Sequence, residues 1–197
     1  SSNFAYPKTK HRTNHLAFNS GGHIAAGCEL LFSTHFPPGV QGRFLVKHCV
    51  GETGTAWYTL KTNGSVYQIE SHGHLLRCDD PLFRPVAMAL GPDGALYIAD
   101  FYNRIIGHYE VRLDHPGRDR ETGRIWRLVY NGPKGERLAK SVNLPAAPLD
   151  QAIAELASPL LARRMTATDY LADDVGQHAA APLGQAMARA GAKPELK

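Results

Sequence analysis

With 197 residues, 43% of them hydrophobic, the chain is long enough to bury a core and fits one domain with a smaller appendage. Its 22 basic and 18 acidic residues leave a formal charge of +4. The most basic stretch, Arg112 to Arg127, is interrupted by Asp114, Asp119 and Glu121, so its charges pair locally and nucleic acid is not expected as a partner. No run of ~18 apolar residues occurs, which argues against a membrane-spanning helix.

Cys28, Cys49 and Cys78 are odd in number and lack C-x-x-C spacing, which argues against a disulfide framework or a zinc ribbon. Buried thiols are expected, and a Cys28 to Cys49 bridge would require neighbouring strands. The start at Ser1-Ser2-Asn3, without Met or a signal-like apolar segment, reads as a trimmed, processed or fragmentary sequence.

Short β-rich runs separated by turn residues follow in order: Leu16 to Phe18, Gly27 to Phe32, Arg43 to Val50, Ala56 to Leu60, Ser65 to Glu70, Val86 to Leu90, Ala95 to Ala99 and Gly123 to Tyr130. Thr62-Asn63-Gly64 and Pro92-Asp93-Gly94 predict hairpin turns. After Asn131-Gly132-Pro133 a polar linker runs to Pro148, and Gly and Pro thin out as Ala takes over. Asp150 is expected to cap a first helix carrying Ile153, Leu156 and Ala157 on one face. Ser158-Pro159 restarts a second with Leu161, Met165 and Leu171 facing inward, and a third carries Leu183, Ala186, Met187 and Ala190.

Such hairpins fit either a β-sandwich or a radial array of blades. The segment Gly91-Pro92-Asp93-Gly94-Ala95-Leu96-Tyr97-Ile98-Ala99-Asp100-Phe101-Tyr102-Asn103-Arg104-Ile105 is similar to an NHL-type propeller repeat. Extended over Phe83-Arg84-Pro85-Val86 and Gly123-Arg124-Ile125-Trp126-Arg127, it resembles the membrane-bound dehydrogenase-like, haem-associated propellers of planctomycetes, which are related to glucose and sorbosone dehydrogenases. Arg164, Ala167 and Leu171 resemble positions of a HEAT-type helix.

The resemblance implies a mainly β protein with an α tail: a partial β-propeller of about three blades over residues 1–132, a linker over 133–148 and a HEAT-like helical repeat over 149–192. It further implies a periplasmic or extracellular fragment of a protein that oxidises sugars or related alcohols. Pyrroloquinoline quinone would be the cofactor, a c-type cytochrome the electron acceptor, and further propeller blades the partners. The sequence has no C-x-x-C-H, so this chain does not attach a c-type haem by that motif. The general-base His of such dehydrogenases would lie in earlier blades, and this chain alone is expected to be inactive.

For cofactor binding the resemblance points first to Arg84, whose planar fork suits carboxylate or quinone oxygens. The bland reading pairs it with Asp79, Asp80 or a loop carbonyl. Asp100, Asn103 and His108 share one loop and are further candidates, although Asx-type turns account for the first two. His23, beside Gly21-Gly22, is a weaker one. His11, His15 and His23 are spaced too widely along a strand to share a metal, and a site at His72 and His74 is not favoured either. Trp126 reads as core packing. The rival function is a non-catalytic interaction scaffold. A lactonase-like hydrolase, which would need a carboxylate metal site near Asp100 and Asn103, ranks third.

Overall fold

A computed structural model describes residues 24–50, 53–64, 66–106, 111–133 and 137–190. Leu16 to Phe18, His11, His15 and His23 lie outside them. The alternating runs form seven strands: β1 (Ile24–Leu31), β2 (Arg43–Val50), β3 (Gly54–Asn63), β4 (Val66–Arg77), β5 (Pro85–Leu90), β6 (Leu96–Asp100) and β7 (Arg124–Leu128). They make a four-stranded antiparallel meander, β1-β2-β3-β4, and a three-stranded sheet, β5-β6-β7.

Both expected turns close. Asn63 pairs with Val66 around Gly64, whose φ of 61° supplies the left-handed residue the hairpin needs. At the second turn, the Asp93 carboxylate accepts the Ala95 N–H, and Gly94 carries φ 91°. Between β3 and β4 the register slips from Ala56 to Tyr58, where Trp57 of β3 faces two residues of β4, His72 and Gly73. Gly73 absorbs this bulge at φ 80°, and the Trp57 indole N–H donates to the His72 carbonyl at 2.9 Å.

The expected partial propeller is not what the chain builds. Neither sheet is closed or repeated radially, and there are two sheets of unequal size where about three similar blades were expected. About three blades of ~40–45 residues would fill residues 1–132 with strand and turn. Instead, residues 101–123 between β6 and β7 contain no strand among those described. Turn chemistry determines which neighbours pair, whereas the higher arrangement of hairpins is set by long-range packing.

Two compact units result. The first comprises Ser1–Leu31, Gly42–Ala89 and Tyr97–Leu128; the second comprises Phe32–Gln41, Leu90–Leu96 and Val129–Lys197. Within the first, Val46, Ala56 and Tyr58 pack together on one face of the meander, flanked by Phe44 and Ile69.

The second unit contains α1 (Leu149–Ala154), α2 (Leu161–Asp169) and α3 (Ala180–Ala190), with a turn of π-helix over Tyr170–Val175. Its core is Leu144, Ala152, Ile153, Ala167, Leu171 and Ala179. The first helix starts at Leu149, one residue before the expected cap, so Asp150 sits inside the first turn. Its carboxylate there favours the positive end of the helix dipole. Leu171 is buried as expected, but Met165 and Met187 are 58% and 46% exposed.

Three buried residues of this unit, Ser33, His35 and Asp93, are of the types used in hydrolytic triads, yet their bonds are structural. The Ser33 hydroxyl donates to the Gly94 carbonyl at 2.7 Å, and the His35 ring accepts the Tyr130 N–H at 2.8 Å. The nucleophile and base are thereby committed to the backbone.

Candidate functional site

Of the residues expected to bind a cofactor, His23 and His108 lie outside the described residues. The other three fall in the first unit, and two of them meet. Arg84 immediately precedes β5, and Asp100 ends β6. One Asp100 carboxylate oxygen accepts the Arg84 and Tyr102 backbone N–H groups at 2.8 and 2.9 Å; the other accepts the Trp126 indole N–H at 3.0 Å. Asp100 is 3% exposed and joins the start of β5, the end of β6 and the middle of β7 at one point.

Asn103 is likewise buried. Its amide donates to the Asp119 carbonyl at 2.6 Å, and its oxygen accepts the Ile105 N–H, which closes an Asx-type turn. Replacing Asn103 by Ala leaves a carbonyl and an N–H without their partners. We expect a loss of about 2 kcal/mol, read by urea denaturation; a loss below about 0.5 kcal/mol would show that the loop re-pairs unaided.

Arg84 differs from these two. It is half-buried and donates from Nη1 to the Phe83 carbonyl at 3.1 Å, while its buried Nε has no acceptor among the described residues. The acid sometimes expected beside it, Asp80, instead pairs with Arg124 at 3.4 Å, and that guanidinium stacks over the Tyr102 ring. The Leu82 N–H bonded to Asp80 does most to hold its carboxyl below the usual range, with Tyr102 and Arg124 assisting. Tyr102 holds a positive φ of 45°, an uncommon geometry for a bulky residue, and the Asp100 bond to its N–H helps fix it there.

Trp126 is not core. It is 43% exposed, and Ile125 is 77% exposed, because β7 borders its sheet on one side only among the described strands. The indole instead leans edge-on against Phe83 and supplies its N–H to Asp100.

The sequence reading missed Lys47. Leu45, Lys47 and Cys49 share one face of β2, and Lys47 is completely buried. Its amine donates to the Ala87 carbonyl of β5. Burial draws the amine down from its ordinary 10.5 to about 7, with Asp100 pulling the other way. Cys49 beside it is pushed up by burial, against the opposing pull of the Arg84 charge. The available signal was a lysine in phase with the apolar Leu45 and Cys49 on one face of the strand.

Cys28 is exposed, Cys49 buried and Cys78 between the two. Cys28 therefore departs from the expectation of buried thiols. In the register of β1 on β2 it lies opposite Val46, not Cys49. No group of three or more His, Cys, Asp or Glu side chains among the described residues converges in a metal-binding arrangement. No described helix is long and apolar enough to cross a membrane. In the basic stretch the expected local pairing is present: Arg112 binds Asp114, and Arg118 donates to the Val111 and Arg112 carbonyls.

These features define one unit with two β-sheets, in which β5, β6 and β7 are tied to a buried carboxylate, and a second unit that contains the helices. The profile of the family described as a domain of unknown function, DUF7133, matches residues 3–132, and the chain belongs to that family. No curated protein and no solved structure matches the chain.

Proposed function

We propose that the DUF7133 portion binds an anionic or oxygen-rich small ligand through Arg84, as one part of a sugar- or alcohol-oxidising protein. The observation supporting this reading is the Arg84 guanidinium, anchored by one bond to Phe83 and carrying a buried N–H that no described residue accepts. Leaving such a donor unpaired costs about 1–3 kcal/mol, which an acceptor oxygen would recover. Pyrroloquinoline quinone suits this donor chemistry, since its carboxylates and quinone oxygens are acceptors only. When bound, it would supply the acceptor for substrate electrons. Arg84 would hold its oxygens, and Asp100 would fix the backbone that carries Arg84.

The test is titration of the whole chain with pyrroloquinoline quinone, followed by quinone absorbance and calorimetry, together with dye-linked oxidation of aldoses and alcohols. Binding that weakens about tenfold in Arg84→Lys, which loses the fork but keeps the charge, supports the reading. Absence of binding, or equal affinity in the variant, overturns it.

A second reading, a non-catalytic interaction module, is favoured by one feature of the helical unit. An open groove of about 820 Å³ is lined by Leu156, Leu161, Met165, Leu171, Leu183 and Met187. Exposed methionines on such a surface suit adaptable apolar contacts.

A further inference from the structure

We propose that Lys47 is a proton-sensitive clasp between the two sheets of the first unit, holding β5 against β2 as a neutral amine and releasing it when protonated. The inference is independent of any ligand at Arg84.

The geometry carries it. Lys47 is the largest fully buried side chain among the described residues, and it crosses from the meander to the β5 backbone, where its amine bonds the Ala87 carbonyl. The approach is close because Gly27, opposite Lys47 on β1, has no side chain: a Cβ there would lie 3.1 Å from the Val86 carbonyl oxygen. On the other side Lys47 pairs with Thr55 of β3, which is fully buried and whose hydroxyl has no described partner.

Among the described residues, few ionisable groups act here. From β6 comes Asp100, whose attraction favours the charged amine; beside β5 stands the Arg84 guanidinium; and on β2 itself is the Cys49 thiol. Asp100 is the only anion among them when the thiol is protonated, and three N–H groups already occupy its oxygens. Desolvation therefore outweighs attraction, and the amine sits near 7 in place of 10.5. A charged amine at this depth needs water, and opening β5 from β2 admits it.

The sign follows from linkage. Between about 7 and 10.5 the unfolded chain binds a proton that the folded chain does not, so stability rises with pH across that window. Below about 7 the folded form takes up the proton as well, and the response becomes local opening of the sheet contact.

The test is urea denaturation from pH 6 to 10, comparing the whole chain with Lys47→Met. Both are made in a Cys49→Ala background, because an ordinary thiol titrates at about 8.5, inside this window, and burial raises Cys49 above that on folding. The ratio of their folding equilibrium constants is expected to shift toward the lysine form by up to tenfold per pH unit between 7 and 10.5. Carbon NMR of the Lys47 side chain is expected to titrate near pH 7, with the hydrogen-exchange protection factors of Ala87 and neighbouring β5 amides falling below that midpoint. A pH-independent ratio, a midpoint above about 9.5 or unchanged protection would each overturn the proposal. If Lys47→Met does not fold, the NMR titration and exchange of the lysine form decide alone.

Discussion

Replacing Asp100 by Ala is expected to destabilise the first unit by about 3–5 kcal/mol, measured by urea denaturation at neutral pH. Its two oxygens serve three donors from three segments: the backbone N–H groups of Arg84 and Tyr102 and the indole of Trp126. At 3% exposure there is little water to replace them, so each abandoned donor carries part of its desolvation cost. Tyr102 adds a share, because its positive φ of 45° loses a bond that compensates for it. Asp100→Asn discriminates among these terms. The amide oxygen still accepts the two backbone bonds, but its NH₂ faces the Trp126 N–H, donor against donor. A loss of about 1–2 kcal/mol and a red-shifted Trp126 emission are expected. Equal effects of Ala and Asn would show that the Trp126 contact dominates; a loss below 1 kcal/mol for Ala would refute the three-way junction.

Leu171→Ala is the second large effect, about 3–4 kcal/mol, and it falls on the helical unit. Leu171 is 4% exposed and sits in the π-helical turn between α2 and α3, within a core otherwise built largely of small residues, among them Ala152, Ala167 and Ala179. The surrounding alanines have no side-chain length with which to refill the space. Helices of 6, 9 and 11 residues do not persist without packing, so loss of this contact removes the reason for them to form. Circular dichroism at 222 nm is expected to show the helical signal melting at markedly lower temperature, while the β signal at 215 nm changes less. A shift of under 2 °C in the helical signal would mean that the remaining core suffices.

Much of the strand pattern was legible. Arg43 to Val50 was read as a strand and is one, because β-branched and aromatic residues alternate there with little turn chemistry. The Asn63-Gly64 and Asp93-Gly94 turns formed for the same local reason. The propeller failed as an expectation, because resemblance over a single hairpin and its loop does not specify how sheets are arranged. Periodicity also assigned Met165, Met187 and Trp126 to interiors, whereas all three are substantially exposed. A helix or strand has an apolar face whether or not anything covers it.

The candidate site divides along the same line. Asp100 and Asn103 were readable as turn-forming residues, since their bonds reach backbone nearby in the chain or immediately across the junction. Arg84 was singled out for its chemistry. Lys47 was missed, because its phase with Leu45 and Cys49 marks a face of β2 but not the distant segment, β5, that covers it.

By itself, then, the sequence determined the hairpins, the change to helix after the linker and the dispersed charge, since each follows from backbone preference or pairing over a few residues. Only the tertiary structure decided that the hairpins form two open sheets, that Trp126 sits at a border and that Lys47 lies sealed against Ala87. Burial is a property of segments distant in the chain, and the cost of desolvating an amine exists only once those segments meet.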